Sequence, residues 1–386
     1  MEASSRPGGR LKTDIENGFR FDHGFQVVFT AYPAFQQLLD LDALKLCRFE
    51  PGARIKLKGK SYLIHDDRVM ETLLSPIFGL SDKLRVATWT EEVNRMTIDE
   101  IWNLPNKSVL DFFNERGFSQ AFINNFAKPF LGGIFLDRSL STSLRMFGFV
   151  WKMLSDGHTA VPALGMEEIP KQMIKKLIGG SIKVNTKVEE ITRKDGTLQV
   201  KLSDGSTMSA DRIVLATDAM SANNLAGTNE PSEFRSAACH YFETASLIEP
   251  EPILVLNANP DGIAHEIIPM STVAPQYAPP GRHLVTVTTD GAKEGSEFEL
   301  SALIKELSEI FPTCKAKDWR HLKSYHIPMA QMKQTPEVFG QFPYPLKTSI
   351  EGVILATEPQ VHSGIHGALR SGQLAANSIL KEMGSL

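Results

Sequence analysis

The stretch of sequence that decides the fold lies near the end of the chain. It reads Glu351-Gly352-Val353-Ile354-Leu355-Ala356-Thr357-Glu358 and continues, after four intervening residues, with Ser363-Gly364-Ile365-His366-Gly367-Ala368-Leu369-Arg370-Ser371-Gly372. The short apolar run predicts a strand that delivers an acidic residue. The glycine-bearing turn after it lets backbone come close to a ligand, and a helix that begins there presents free N–H groups. The pattern therefore predicts a strand, a turn and a helix that face a cofactor.

A second motif stands at the opposite end of the chain. It begins Met1-Glu2-Ala3-Ser4-Ser5-Arg6-Pro7-Gly8-Gly9-Arg10-Leu11 and is followed by Gly18-Phe19-Arg20-Phe21-Asp22-His23-Gly24-Phe25-Gln26. In a dinucleotide-binding fold, an acidic residue such as Glu2 accepts hydrogen bonds from the adenosine ribose. Gly8 and Gly9 would let the backbone approach the pyrophosphate, and Arg10 would supply positive charge. A disordered tail is the alternative for these residues alone, and two motifs in this order argue against it.

Both motifs resemble the signatures of FAD-dependent oxidoreductases of the flavin amine oxidase and phytoene desaturase superfamily. The resemblance implies an α/β fold, in which a Rossmann-like FAD/NAD(P)-binding domain is interleaved with an α+β substrate domain. It also implies that the acidic residue of the closing motif meets the ribityl and pyrophosphate region of FAD. The residues that it places at the cofactor are Glu2, Gly8, Gly9, Arg10, Gly24, Phe25, Gln26, Val188, Glu358, Gly364, Ile365 and His366.

Two of these assignments leave an alternative open. Val188 either packs near the adenine, as the resemblance implies, or is an ordinary valine of a sheet core. His366 stands where the family more often has an acidic or amide residue before the Gly-Ala pair, so its role at the flavin edge is open. The resemblance assigns no catalytic residue. Lys323 is a poor candidate for the lysine that amine-oxidising members place near the flavin N5, because the sequence does not show towards which face of its strand it points.

The glycine-rich fingerprint of such folds has no counterpart in this sequence. It lies about 20 residues ahead of the acidic residue in a dinucleotide fold, whereas Glu2 is the second residue here. We expect an N-terminally shortened member whose FAD-binding domain is incomplete. Each lost charge-assisted hydrogen bond is worth roughly 1.5–3 kcal/mol, so losing two or three predicts FAD binding that is weakened by about a thousandfold or absent.

Composition restricts the class of protein without naming it. The chain has 386 residues, 42% hydrophobic residues and a formal net charge of −4, which fits a sizeable core and two interleaved domains. The near-neutral charge argues against nucleic-acid binding. The widely separated Cys47, Cys239 and Cys314 argue against a disulfide framework or a zinc site, and no metal ion is predicted. A reducing intracellular compartment is expected, a plastid if the source is a plant or alga, and no oligomeric state follows.

The predicted elements divide the chain into five segments. Residues 1–60 form the first part of the FAD-binding domain, 61–160 a helical part of the substrate domain, 161–230 the second part of the FAD-binding domain, 231–345 the sheet of the substrate domain, and 346–386 the C-terminal part of the FAD-binding domain. The helical part resembles the desaturase-like branch through Pro129-Phe130-Leu131-Gly132-Gly133-Ile134-Phe135. We expect the two chain ends to meet in one parallel sheet, with residues 2–10 and 351–358 lining the same cleft.

Local patterns predict several element boundaries. Apolar spacing predicts one helix from Tyr32 to Leu44, and helix start signals stand at Ser81, Thr97, Ser108 and Ser119. The continuous apolar run from Arg212 to Asp218 is typical of a parallel strand covered on both faces.

The predicted function follows from the flavin that the resemblance implies. Flavin accepts a hydride at N5, so the protein needs chiefly to hold a substrate carbon against the ring in a dry pocket. The large helical insertion favours an enzyme that desaturates or isomerises a small apolar substrate, as phytoene desaturase-like enzymes do, with peripheral membrane contact if that substrate is lipophilic. The alternatives are a flavin amine oxidase, a truncated isoform that acts through protein contacts without catalysis, and an unrelated binding protein.

Overall fold

Residues 1–177, 181–291, 297–314, 318–340 and 342–384 are described by the computed structural model. Within them the strands are β1 (Thr13–Glu16), β2 (Phe19–Asp22), β3 (Val28–Phe29), β4 (Leu46–Arg48), β5 (Gly52–Leu57), β6 (Lys60–His65), β7 (Thr159–Pro162), β8 (Val188–Lys194), β9 (Thr197–Leu202), β10 (Thr207–Ala210), β11 (Ile213–Leu215), β12 (Phe234–Thr244), β13 (Leu254–Asn257), β14 (Glu266–Ile268), β15 (His283–Asp290), β16 (Arg320–Met332) and β17 (Val353–Leu355).

The same residues contain fifteen α-helices. They are α1 (Pro33–Leu38), α2 (Leu41–Leu44), α3 (Val69–Leu74), α4 (Leu80–Arg95), α5 (Ile98–Trp102), α6 (Val109–Glu115), α7 (Gln120–Phe122), α8 (Lys128–Phe135), α9 (Leu144–Asp156), α10 (Glu168–Ile174), α11 (Ala219–Ala226), α12 (Met270–Val273), α13 (Glu297–Ile310), α14 (Pro336–Phe339) and α15 (Ile365–Glu382). In this described part of the chain, no helix combines the length and the apolar character needed to cross a membrane.

A seven-stranded mixed sheet is the largest element of the fold, with strand order β16-β12-β15-β14-β13-β5-β6. Neighbouring strands are antiparallel except for β13 and β5, which are parallel. Side chains alternate between its two faces. Val255 packs towards α13, in a cluster with Leu303 and Leu307, whereas Leu256 belongs to the main core with the helical region. The sheet thus takes β5 and β6 from the start of the chain and its other strands from residues 234–332.

The region between β6 and β7 is helical, as the sequence predicts. Its centre is an aromatic core in which the rings of Trp89 and Phe147 stack at a centroid distance of 5.6 Å. The predicted start signals at Thr97, Ser108 and Ser119 are confirmed, since each side chain accepts a hydrogen bond from a backbone N–H of the first turn. The prediction at Ser81 is wrong by two residues, because the N-cap is Gly79.

The helix predicted from Tyr32 to Leu44 is two helices. Leu39 is extended, and the Asp40 carboxylate accepts a hydrogen bond from Ala43 N at 3.0 Å, which starts α2 as a separate helix. A short polar side chain that bonds the backbone locally competes with helix continuation. The apolar spacing alone did not reveal this break.

The segments 161–230 and 346–386, which are predicted for the FAD-binding domain, contain a β8-β9-β10 meander and a parallel pair, β11 and β17. Parallel pairing of the predicted strand at residues 212–218 is therefore confirmed, although the strand is shorter. The expectation that it is covered on both faces is wrong for Val214, which is 40% exposed. In the described part of the chain β11 pairs on one side only, which leaves its outer edge and Val214 open to solvent.

Candidate functional site

The motifs from the two chain ends meet at an ion pair. Arg10 Nη2 lies 2.6 Å from Glu358 Oε1, and the same oxygen accepts a hydrogen bond from Ser363 Oγ at 2.6 Å. Arg10 Nη1 donates to the carbonyl of Ala330 at 2.8 Å. The Glu358 side chain is only 7% exposed. This pair is the centre of the candidate cofactor site.

Local sequence explains how Glu358 is aimed. It follows β17, whose end is bound to β11 through the Ala356 N–H and the Leu215 carbonyl at 2.8 Å. Residues Glu358–Gln360 then form one turn of 3₁₀-helix, closed by a reciprocal capping box between Thr357 and Gln360. Because ligands of open α/β sheets bind outside the carboxyl ends of the strands, this turn stands where a cofactor is expected.

The paired glycines of the first motif lie in a loop where both have positive φ. Gly8 has φ of +122° and Gly9 has φ of +60°, so both lie in the region that favours glycine. A Cβ on Gly8 would lie 2.9 Å from the ring of Pro170 in α10, whereas one on Gly9 would meet no atom within 4 Å. Gly8 therefore serves close packing, and Gly9 presents open backbone.

The second half of that motif forms a turn beside Arg10. Gly24 has φ of +95°, and its ideal Cβ would lie 3.3 Å from Ile327 Cδ1 on β16. The Phe25 ring packs against Phe49 at a centroid distance of 6.2 Å. Gln26 Nε2 donates to the carbonyl of Arg10 at 3.4 Å. The predicted residues Arg10, Gly24, Phe25 and Gln26 are thus neighbours.

Two buried acceptors at this site have no partner among the described residues, Glu358 Oε2 and Gln26 Oε1. A buried polar atom without a hydrogen bond is costly, so each unpaired atom indicates a missing donor. The hydroxyl groups of a ribityl chain or a ribose are donors of the required kind. The residues present therefore fit a flavin nucleotide.

The long helix α15 begins beside these acceptors. Its N-cap, Gly364, has φ of +125° and no side-chain cap, so the first N–H groups of the helix are left to a ligand or water. A Cβ on Gly364 would meet no atom within 4 Å. Ile365, the first helical residue, is half-buried against the main core. The predicted residues Gly364 and Ile365 thus stand at the start of α15.

His366 is buried and bonded to a second histidine that sequence reasoning missed. The His362 Nε2 and His366 Nδ1 atoms lie 2.9 Å apart, and His362 Nδ1 lies 2.9 Å from the carbonyl of Ser363. Since a carbonyl only accepts, His362 carries its proton on Nδ1 and accepts the Nδ1–H of His366. Burial lowers the pKa of His362 to about 4 and, with the neighbouring imidazole and Arg370, that of His366 to about 3. Both rings are neutral at pH 7.

Glu2 and Val188 lie in a separate group. The backbone of Glu2 bonds Lys183 and Thr186, at 2.8 and 2.9 Å, just before Val188 opens β8. Val188 packs, half-buried, against the small cluster that contains Leu215 and Val353. The structure thus brings Glu2 near Val188 and Arg10 near Glu358. The Arg10–Glu358 contact brings the two segments together, as expected. The expected single parallel sheet is wrong, because residues 2–4 bond the 183–186 segment instead.

A polar cluster around Asp14 was also missed by sequence reasoning. Asp14 Oδ2 accepts a hydrogen bond from the Tyr325 hydroxyl at 2.7 Å and lies 3.0 Å from His23 Nε2. Although burial raises the pKa of Asp14, hydrogen bonds from Tyr325, His23 and Arg6 hold it well below its usual range. Lys323 pairs with Glu16 in the same cluster. No local pattern in the sequence marks it, because its members come from distant strands.

Comparisons with known proteins agree with this geometry. Residues 1–380 match the family model described as flavin containing amine oxidoreductase. No curated protein matches the sequence. Among solved structures, an oxidoreductase from Methanosarcina mazei has a TM-score of 0.74 at 16% identity, with 98% of this chain and 93% of that chain covered.

Two further solved structures have the same fold. A protein assigned as a protoporphyrinogen oxidase from Exiguobacterium sp. 255-15 has a TM-score of 0.72 at 17% identity, with 99% of this chain and 92% of that chain covered. Cyclohexylamine oxidase from Brevibacterium oxydans IH-35A has a TM-score of 0.71 at 14% identity, with 99% and 93% covered. Identities this low establish a common fold alone.

Proposed function

Because the chain belongs to the family of flavin-containing amine oxidoreductases, we propose that it binds FAD at the Arg10–Glu358 pair and oxidises a small apolar substrate. The observation that carries the proposal is the buried Glu358 carboxylate, which has one oxygen on Arg10 and Ser363 and the other without a partner in the described residues. Such an oxygen would accept a hydrogen bond from a ribityl or ribose hydroxyl. Arg10 Nη2 lies 2.6 Å from the other carboxylate oxygen and forms an ion pair with it.

FAD, when bound, supplies a hydride acceptor at N5. The residues of this chain position it and keep water away. Gln26 Oε1 offers a second acceptor, and the uncapped N–H groups at the start of α15 favour an electron-rich part of the ring system. The turn at Gly24 is held through Asp22, which accepts hydrogen bonds from Thr13 and Tyr277 and whose carbonyl accepts from Tyr241.

The surroundings of this turn support an apolar substrate. A Cβ on Gly24 would meet Ile327 first, and the Phe25 ring packs against Phe49. Cys239 on β12 and Tyr325 on β16 are register partners on the same face of the sheet. Burial raises the pKa of the Cys239 thiol to about 12, so it stays protonated and apolar in character. We propose desaturation or isomerisation as the reaction that suits such apolar surroundings.

Amine oxidation is the second candidate. The description of the family and the fold shared with cyclohexylamine oxidase favour it. Lys323 does not supply an amine to the site, because its ammonium pairs with Glu16 on β1 and lies 3.8 Å from Asp14. Either reaction would use the same FAD site, so the substrate decides between them.

One experiment tests the function. The chain is saturated with FAD under anaerobic conditions and mixed in turn with apolar polyenes and with primary amines, while flavin absorbance is followed. Bleaching by a polyene supports desaturation. Bleaching by amines alone would replace it with amine oxidation, and a chain that binds no FAD at millimolar concentration would leave the non-catalytic alternative.

The proposal includes peripheral membrane contact, which suits a lipophilic substrate. Helix α3 buries none of its residues, and its Met70 and Leu74 are 66% and 76% exposed. Leu84 on α4 is 61% exposed, and Lys83 beside it donates to the carbonyls of Leu73 and Ser75, which holds α4 against the end of α3. Large exposed apolar patches commonly mark interaction sites.

A further inference from the structure

A buried carboxyl group, Glu230, lies directly behind the turn that carries Glu358. It is 8% exposed and follows α11, where Asn223 accepts a hydrogen bond from the Glu230 N–H at 2.9 Å and donates one to its carbonyl at 2.9 Å. Its two carboxyl oxygens contact Gln360 Nε2 and, at 3.0 Å, Thr357 Oγ1. Glu230 thereby joins the segment after β11 to the turn after β17.

The orientation of the Gln360 amide follows from its other neighbours. Its Oε1 accepts a hydrogen bond from the Thr357 N–H at 2.9 Å, and its Nε2 lies 3.3 Å from the carbonyl of Pro345. A flipped amide would place Nε2 against the Thr357 N–H, which is also a donor. It would place Oε1 against the Pro345 carbonyl, which is also an acceptor. Nε2 therefore faces Glu230, and Oε1 faces Thr357.

The hydrogen bonds around Thr357 indicate the protonation state of the Glu230 carboxyl group. Thr357 Oγ1 accepts the N–H of Gln360 through the capping box and lies 2.6 Å from Gln360 Oε1. An amide oxygen can only accept, so the single hydroxyl proton of Thr357 belongs to that contact. The remaining contact of Oγ1, with Glu230 Oε2 at 3.0 Å, needs its proton from the carboxyl group. Glu230 is then a neutral carboxylic acid that donates to Thr357 and accepts from Gln360.

We propose that Glu230 is a protonated positioning residue that holds the Thr357–Gln360 turn and so aims Glu358 at the flavin. The inference rests on the proposed function, since it concerns the same FAD site. Glu230 touches neither Arg10 nor Glu358 and acts through Thr357 and Gln360. A charged Glu230 would leave Oε2 and Thr357 Oγ1 facing each other without a proton between them, which would loosen the turn.

The surroundings of Glu230 agree with a neutral acid. Burial raises the pKa of Glu230. No cation pairs with it among the residues that the structure describes. The titratable group that faces it is Tyr344, whose hydroxyl donates to the carbonyl of Val338 at 3.2 Å. Two buried oxygens, one donating and one accepting, match an acid or an amide equally well.

Two substitutions separate the roles of Glu230. Glu230→Gln retains one donor and one acceptor, whereas Glu230→Leu removes both. We expect Glu230→Leu to weaken FAD binding by roughly tenfold or more and Glu230→Gln to change it by less than about twofold. Glu233→Gln is the matched control, because Glu233 lies in the same segment but is exposed and pairs with Lys333. If Glu230→Gln and Glu230→Leu weaken FAD binding equally, the proposal is overturned.

The pH dependence is a readout that a merely structural role would not change. A raised pKa means that the contribution of Glu230 is complete at low pH and is lost as pH rises through the folded-state pKa. FAD affinity of the unaltered chain should therefore fall with rising pH, and that of Glu230→Gln should stay level. Identical pH profiles for the two chains would contradict the inference.

The cofactor-free chain distinguishes failure of this inference from failure of the proposed function. If no chain binds FAD, the proposed function fails, but infrared difference spectra still decide the state of Glu230. The difference spectrum between the unaltered chain and Glu230→Gln should contain a protonated carboxyl band from Glu230, and the stability difference between the two should shrink as pH falls. Absence of that band would overturn the inference.

Discussion

Arg10 Nη2 and Glu358 Oε1 are 2.6 Å apart, although 348 positions separate the two residues in the chain. Each belongs to one of the two motifs that predict a flavin site, and neither motif alone indicates the contact. Arg10 is also bonded to the carbonyls of Met329 and Ala330 on β16. The pair thus ties both chain ends to the edge of the large sheet.

Replacing Glu358 by alanine should weaken FAD binding while leaving the fold intact. The loss of a charged acceptor costs about 1.5–3 kcal/mol, or roughly tenfold to a hundredfold in affinity. Fluorescence titration with FAD measures the change. Glu351→Ala is the control, since that side chain is 82% exposed. A lower melting temperature with unchanged flavin content would show instead that Glu358 is structural.

Gly364, the N-cap of α15, and Gly372, inside the helix, should respond oppositely to alanine. Gly364 has φ of +125°, so Gly364→Ala should destabilise the chain by about 1–3 kcal/mol through backbone strain. Gly372 lies inside the helix with no atom within 4 Å of its ideal Cβ, so Gly372→Ala should stabilise by about 0.4–1 kcal/mol. Urea unfolding measures both, and a neutral Gly364→Ala would show that the turn can relax.

Stability should fall as pH is lowered from 6.5 towards 4. Burial, with the nearby His321 and His326, lowers the pKa of His240 to about 4. The unfolded chain binds the proton near pH 6.5, so the neutral ring stabilises the fold fully above that pH and loses this effect as pH falls. One such group contributes a slope of about 1.4 kcal/mol per pH unit.

His240→Asn tests this pH dependence. It should reduce the slope of the unfolding free energy against pH between 6.5 and 4, whereas His158→Asn, at an exposed position, should not. Other buried histidines, such as His362 and His366, will keep part of the slope in both variants. A slope unchanged in His240→Asn would refute the assignment.

The chain as printed should purify without flavin colour. It contains no G-x-G-x-x-G, and in the described residues β11 has one open edge next to the exposed Val214. Ligand stabilisation follows RT ln(1 + [L]/Kd), so added FAD should raise the melting temperature very little if Kd is high. Thermal melts over an FAD series measure this. Purification with stoichiometric FAD would show that other residues hold the pyrophosphate.

Liposome sedimentation should detect the apolar surface of α3 and α4. Leu74→Ser together with Leu84→Ser should lower binding more than tenfold, because burial of each leucine contributes about 1.5–3 kcal/mol. Leu380→Ser, at a 39% exposed position on α15, is the control. If the double variant instead abolishes self-association on a sizing column, the surface joins two copies of the chain.

Sequence patterns predicted local features well where local chemistry decides them. The caps at Thr97, Ser108 and Ser119 were predictable because each forms within one helical turn. The strand at β17 and the helix start at Gly364 followed from an apolar run and a glycine turn. The break at Asp40 was missed because a side-chain cap there overrides continuous apolar spacing.

The sequence by itself was enough to predict the α/β class and the two candidate cofactor segments, since strand, turn and helix signals lie within short stretches of chain. The same two segments carried the resemblance to the family. Only the tertiary structure decided that Arg10 meets Glu358, that Glu230 supports Thr357 across 127 positions, and that β11 keeps an open edge. The physical reason is that side-chain pairing between distant segments depends on how sheets and helices pack, and no local spacing encodes the partner.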